Sequence, residues 1–153
     1  MPAWGRSLAA WGEYVKRGEV WWAQIDSEWP IVLLSGGDAT EFRAIQIVAP
    51  ATAAQKRGFV VLSPEVAADT QERARAVASA GPTVGGVGIE VPIGLSEGLT
   101  RVGVVRVALP REGHIFCTWQ LAVTRDALIE QVGTLSVTKM RQLEAAIRLA
   151  GIE

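Results

Sequence analysis

Residues 17–35 read RGEVWWAQIDSEWPIVLLS. Two runs of strand-forming residues, Val20–Ile25 and Ile31–Ser35, flank the polar stretch Asp26-Ser27-Glu28 and then Trp29-Pro30. Valine, isoleucine and tryptophan suit a pleated, half-buried surface, and so short a connection obliges the two strands to run antiparallel. Pro30 has no N–H to give to a ladder, which fits the first position of the second strand. The stretch predicts a β-hairpin. Trp21 and Trp22 then point to opposite faces of one strand, so at most one of them belongs to the core.

The pattern extends outward from the hairpin. Ahead of it, Ser7 can cap a short helix through Lys16, with Leu8, Trp11 and Val15 on one face and Gly18 ending it. After it come a turn at Gly36-Gly37-Asp38, a strand over 42–48 and a short apolar strand over 59–62. Ser63-Pro64 opens a helical tract to Ala80, which Gly81-Pro82 stops. Strands are expected over 87–93, 102–109 and 114–123. Thr124 is read as the cap of a helix over 125–132 ended by Gly133. Ser136 caps a second helix, where Met140, Leu143, Ile147 and Ala150 form a packing stripe. Gly85-Gly86-Val87-Gly88 is no phosphate loop, because no Lys-Ser/Thr follows it and a strand comes next. Short strands with helices at the chain ends and in an insertion at about 53–86 predict one mainly β domain, a small, strongly curved SH3-like barrel with peripheral and C-terminal helices.

Composition narrows the chemistry. The 153 residues are 49% apolar and 20% charged, ordinary for one globular domain with a real core. The apolar runs fall far short of the roughly 20 residues that span a bilayer. The first residues, MPAWGRSLAAWGEYVKRG, do not resemble a signal peptide. The single Cys117 excludes an internal disulfide and fits a reducing cytoplasm, and with the single His114 it cannot make a metal site unaided. No cofactor is expected. A net charge of −1 provides no global field for a polyanion. Locally, Arg101, Arg106, Arg111 and Arg125 face only Glu112, a strip that either holds a few phosphates or is a solvated basic face.

As a string, Arg17–Ser35 resembles the opening of the MazF/PemK toxin endoribonucleases, which begin RGE/RGD-[I/V]-W and continue to a Pro-hydrophobic-Ser strand. Ala49-Pro50-Ala51-Thr52 is similar to that family's P-x-T segment, and 105–111, VRVALPR, resembles the V-R-x-D-Q-P-R segment of the Kid/PemK branch. Further blocks at Ile89–Ile93, Glu97-Gly98-Leu99 and Val104–Arg106 bring the resemblance to about two-thirds of the chain. It implies a homodimeric, cytoplasmic, metal-independent ribonuclease that cuts single-stranded RNA through a 2′,3′-cyclic phosphate and is covered by a cognate antitoxin. It also implies that Thr52 lies in the site and that Arg106 is the general acid.

Three departures from the family pattern stand out. Trp29 occupies the place of the arginine before the strand proline, Ala108-Leu109 replaces Asp-Gln, and the first interstrand loop is much shorter. The general base is therefore missing from its usual place. His114 is the one side chain whose ordinary pKa suits proton transfer near neutrality, so it is either the replacement base or a partly buried structural histidine. Trp29 either stacks on an RNA base or plugs the pocket. Arg111, Arg17 and Arg43 complete the RNA-contacting candidates. Catalysis by Thr52, Arg106 and His114 is the leading expectation, and a MazF-like RNA- or protein-binding module without catalysis is the second.

Overall fold

The computed structural model describes residues 15–56, 59–80, 86–109 and 120–150. The expected hairpin is present, with a tighter turn. Strands β1 (Glu19–Ile25) and β2 (Ser27–Leu33) are separated by Asp26 alone, at φ 60°. Aspartate is one of the few residues with a side chain that tolerates this left-handed conformation. Ser27, Glu28 and Trp29 are ladder residues, opposite Ile25, Gln24 and Ala23. Pro30 is the fourth residue of β2 rather than its first. Its carbonyl accepts from the Ile47 N–H at 2.9 Å, on the side away from β1. Because the N and C=O of one residue share a side in an antiparallel strand, the proton that proline lacks is not missed by the β1 ladder.

Strands β3 (Glu41–Gln46), β7 (Gln120–Thr124) and β8 (Leu128–Thr134) complete a five-stranded antiparallel sheet in the order β7-β3-β2-β1-β8. A second sheet has the order β4-β5-β6, from β4 (Val60–Leu62), β5 (Val87–Ile93) and β6 (Gly103–Leu109). There β4 runs parallel to β5, and β5 antiparallel to β6. An isolated bridge between Val48 and Val104 passes from one sheet to the other. Val20, Val32 and Ile45 of the first sheet, with Ile47 just past β3, pack with Ile89, Val91, Val105 and Val107 of the second in one core, so the chain is mainly β and curved about a shared interior. The opposite face of the five-stranded sheet carries a second buried cluster, including Trp21, Ile31, Leu33 and Phe42.

The helices lie at the periphery. The short α1 (Ala53–Lys56) follows Thr52. Helix α2 (Pro64–Ala68) starts where expected, with the Ser63 hydroxyl accepting from the Val66 N–H at 3.3 Å. The tract does not run unbroken to Ala80. Asp69 Oδ1 accepts from the N–H groups of Gln71 and Glu72, each at 3.0 Å, and so starts a separate helix, α3 (Thr70–Ala80). The C-terminal α4 (Val137–Ala150) is capped by Ser136, which accepts from the Lys139 N–H at 3.1 Å. It buries Leu143, Ala146, Ile147 and Ala150 against the shared core, close to the expected stripe. Among the described residues no helix is long and apolar enough to cross a membrane.

Two helix expectations are corrected. Residues 125–132 are not a helix: a single 3-10 turn, Arg125–Ala127, leads into β8. Ile129 and Val132 are β-branched, and pairing with β1 gives Leu128–Thr134 backbone partners on one side, so tertiary pairing overrides the capping pattern. The helix expected to reach Lys16 does not do so, because Val15 exchanges two backbone bonds with Gly37, at 3.2 and 2.8 Å. Residues 7–14 lie outside the described residues, as do Gly81-Pro82 and the 114–119 part of the strand expected over 114–123.

Gly133 has a role other than helix termination. A Cβ on it would lie 2.0 Å from the Glu97 carbonyl oxygen, and one on Gly98 would lie 2.0 Å from that of Val132. The two backbones touch, and Gly133 cannot retreat without disturbing the β1–β8 ladder. Gly133→Ala is expected to destabilise the fold by about 2–3 kcal/mol through overpacking. For a domain of this size that lowers the melting temperature by roughly 5–10 °C, readable by thermal unfolding.

Candidate functional site

Strand β6 alternates Val105, Val107 and Leu109 into the core with Val104, Arg106 and Ala108 on the other face. On β5, Glu90 lies directly opposite Arg106 in register and also points away from the core. The two form a tight ion pair. Glu90 Oε2 accepts from Arg106 Nε at 2.9 Å and from Nη2 at 2.7 Å. The same oxygen accepts from the Ala51 N–H at 3.1 Å, and Arg106 Nη2 also donates to the Ala49 carbonyl at 3.2 Å. The Arg106 guanidinium lies 5.8 Å from the centre of the Phe59 ring, within cation–π range. The side chains of Arg106 and Glu90 are only 20% and 10% exposed, so the pair is held largely out of water.

This clamp fixes the segment that carries Thr52. Ala51 is buried, whereas Thr52 is exposed and stands immediately before α1. The structure therefore brings two expected site residues, Thr52 and Arg106, to the same place. Glu90 was missed from the sequence. Its signal was legible only in part: a glutamate between Ile89 and Val91 in a strand whose other residues read as core.

Beside the clamp lies a cleft of about 410 Å³, lined among others by Trp22, Trp29, Pro30, Ala49, Arg101 and Val102. Ala49 belongs to both features, since its carbonyl receives Arg106. Strand alternation separates the two tryptophans. Trp22 shares a face with Pro30 and Val20, and Trp29 pairs with Ala23 on the opposite face. Trp29 thus sits at the rim, 38% exposed, while the half-buried Trp22 is on the face of the cleft. Both tryptophans line this space, Trp22 from within and Trp29 at its rim. Arg101 is exposed at the cleft and supplies a positive charge there.

Other candidates are elsewhere. Arg17 pairs with Glu144 of α4 at 3.0 Å. Arg43 is an exposed residue of β3 and joins neither the clamp nor the cleft lining among the described residues. Arg125 donates to the Ala39 carbonyl at 2.7 Å and covers the Phe42 ring at 5.1 Å, a role in holding the β2–β3 connection. Of that strip, the described Arg101, Arg106 and Arg125 are held by different parts of the fold. Arg111, His114 and Cys117 lie outside the described residues.

No protein-family model matches the chain, and no curated protein matches it. Solved structures do. The Mycobacterium tuberculosis toxin MazF-mt6 aligns over 88% of this chain and 98% of its own, at 14% identity and a TM-score of 0.49. An endoribonuclease in complex with its cognate antitoxin, from a mycobacterial species, aligns over 91% and 95%, at 12% identity and a TM-score of 0.47. A further mycobacterial endoribonuclease aligns over 90% and 91%, at 13% and 0.46.

Proposed function

We propose that the chain is the toxin of a toxin–antitoxin pair, an endoribonuclease that cuts single-stranded RNA without a metal ion. In the reaction the 2′-hydroxyl gives its proton to a base as its oxygen attacks the adjacent phosphorus, the bond to the 5′-oxygen breaks, the 5′-oxygen takes a proton from water to leave as a hydroxyl, and a 2′,3′-cyclic phosphate remains. The observation that carries this reading is the convergence of Arg106 and the Thr52 segment beside an open cleft with an aromatic face and a cation. An arginine in a site shielded from water stabilises phosphoryl charge well, because its fork matches two oxygens and its charge persists at any working pH. In this reading Arg106 serves the phosphate and the leaving oxygen, Thr52 donates to a phosphate oxygen, and Arg101 holds a neighbouring phosphate. Trp22 stacks on a base. His114 is the proposed base, Arg111 a further phosphate contact, and the protein acts as a cytoplasmic homodimer whose cleft an antitoxin covers.

The test is incubation of the purified protein with a long single-stranded RNA in EDTA. Fragments with cyclic-phosphate ends are expected. Trp22→Ala should raise KM by roughly 5- to 100-fold, the worth of one base–aromatic stack, with a smaller change in kcat. A second reading, a MazF-like binding module without catalysis, is favoured by one observation. Two of the three guanidinium nitrogens of Arg106 already have protein acceptors, and Ala108 offers no proton-accepting side chain on the same face. RNA binding without cleavage by folded protein would establish that reading instead.

A further inference from the structure

We propose that Glu90 is the positioning residue of this site, a role that rests on the ribonuclease reading above. One oxygen of its carboxylate accepts three donors, two from Arg106 and one from Ala51, so it joins β5, β6 and the 49–51 segment at a single point. Arg106 closes the figure by donating to Ala49. Ala51 is 39 residues away from Glu90 in sequence, so nothing local in the chain dictates this meeting. The group sits on the outer face of the three-stranded sheet, opposite the core, where the sheet has no packing need for a charge. A buried ion pair is poor value for stability alone, since taking both charges from water offsets much of their attraction.

What the pair does achieve is orientation. With Nε and Nη2 held by Glu90 and the guanidinium carbon 5.8 Å from the centre of the Phe59 ring, the plane of the fork is fixed before any ligand arrives. No described group accepts from Nη1, which leaves that edge of the guanidinium for a phosphate oxygen. The same clamp sets the position of Thr52 through its neighbour Ala51. Glu90 therefore acts through Arg106 and Ala51 and has no contact of its own with the reacting atoms.

The experiment is a kinetic cycle on long single-stranded RNA in EDTA, with wild type, Glu90→Gln, Arg106→Ala and the double variant, each shown to be folded by a cooperative thermal transition. Glutamine keeps the shape and one acceptor oxygen but loses the charge that holds the fork. Glu90→Gln is expected to lower kcat by about 10- to 100-fold, the usual effect of misplacing a catalytic group by an ångström, with KM within about twofold. The double variant should be no slower than Arg106→Ala alone, because Glu90 has no effect without Arg106 to position. A purely structural carboxylate would move the melting temperature and leave kcat of the folded protein unchanged, and that result overturns the proposal. So does a double variant slower than Arg106→Ala by the full Glu90→Gln factor, which would mean that Glu90 acts independently. If Glu90→Gln does not fold, Glu90→Asp retains the charge and shortens the reach, and a wild-type kcat in that variant overturns the proposal equally. A folded wild type that leaves the RNA intact defeats the ribonuclease reading itself and removes any catalytic purpose for the clamp. Cleavage by wild type with an unaltered Glu90→Gln defeats the Glu90 role alone.

Discussion

Arg106→Ala is expected to reduce RNA cleavage by roughly 10³-fold, the upper range for losing one preorganised donor to developing phosphoryl charge. Most of the loss should fall on kcat, since the interaction strengthens as charge develops on the phosphate. The substitution has a second consequence. Glu90 is 10% exposed, and without Arg106 its carboxylate remains nearly buried with the Ala51 N–H as its remaining partner. Breaking a buried pair from one side typically costs about 3–5 kcal/mol, so the alanine variant should also melt earlier. Activity and stability can be separated by replacing both members together. Glu90→Met with Arg106→Met removes the charges as a pair, and the double variant should recover much of the lost stability while remaining inactive. Thermal melts alongside the cleavage assay check both halves. A double variant that regained cleavage would exclude Arg106 from the chemistry.

The largest stability effect from the core should come from Leu143→Ala. Leu143 is fully buried where α4 meets the shared interior of the two sheets. Cutting leucine to alanine there removes apolar burial and leaves a cavity that the surrounding strands cannot fill, for a loss of about 3–4 kcal/mol. The melting temperature should fall by roughly 10 °C. Val137, at the start of the same helix, is 68% exposed, and Val137→Ala should stay within about 0.5 kcal/mol. Equal effects from the two would mean that α4 packs through a different face.

Local chemistry made much of the fold legible. The hairpin follows from β-branched and aromatic runs around a polar break, and Ser63 and Ser136 marked helix starts that the structure places at Pro64 and Val137. The reading failed where a local pattern and a long-range pairing competed. Thr124 and Gly133 bracket a segment with helical punctuation, yet Leu128–Thr134 lies at the edge of a sheet and finds its backbone partners on β1. Gly133 is needed there for close approach to Glu97, a contact that no spacing in the sequence announces. The same holds for the tryptophans. That Trp21 and Trp22 diverge was evident from strand alternation, but which of them faces the core depends on where the sheets and helices pack.

The candidate site divides along the same line. By itself the sequence determined which residue types were available: an arginine on a strand, a threonine after Pro50-Ala51, and an opening motif that resembles one toxin family. These are properties of short stretches, written in periodicity and in residues that constrain their own backbone. Only the tertiary structure decided that Arg106 meets Glu90 across a strand pair, that Ala51 closes on the same carboxylate, and that Trp22 and Arg101 share a cleft with Ala49. Such meetings are set by strand register and by the burial of distant apolar faces, which are properties of the whole chain and of no single segment.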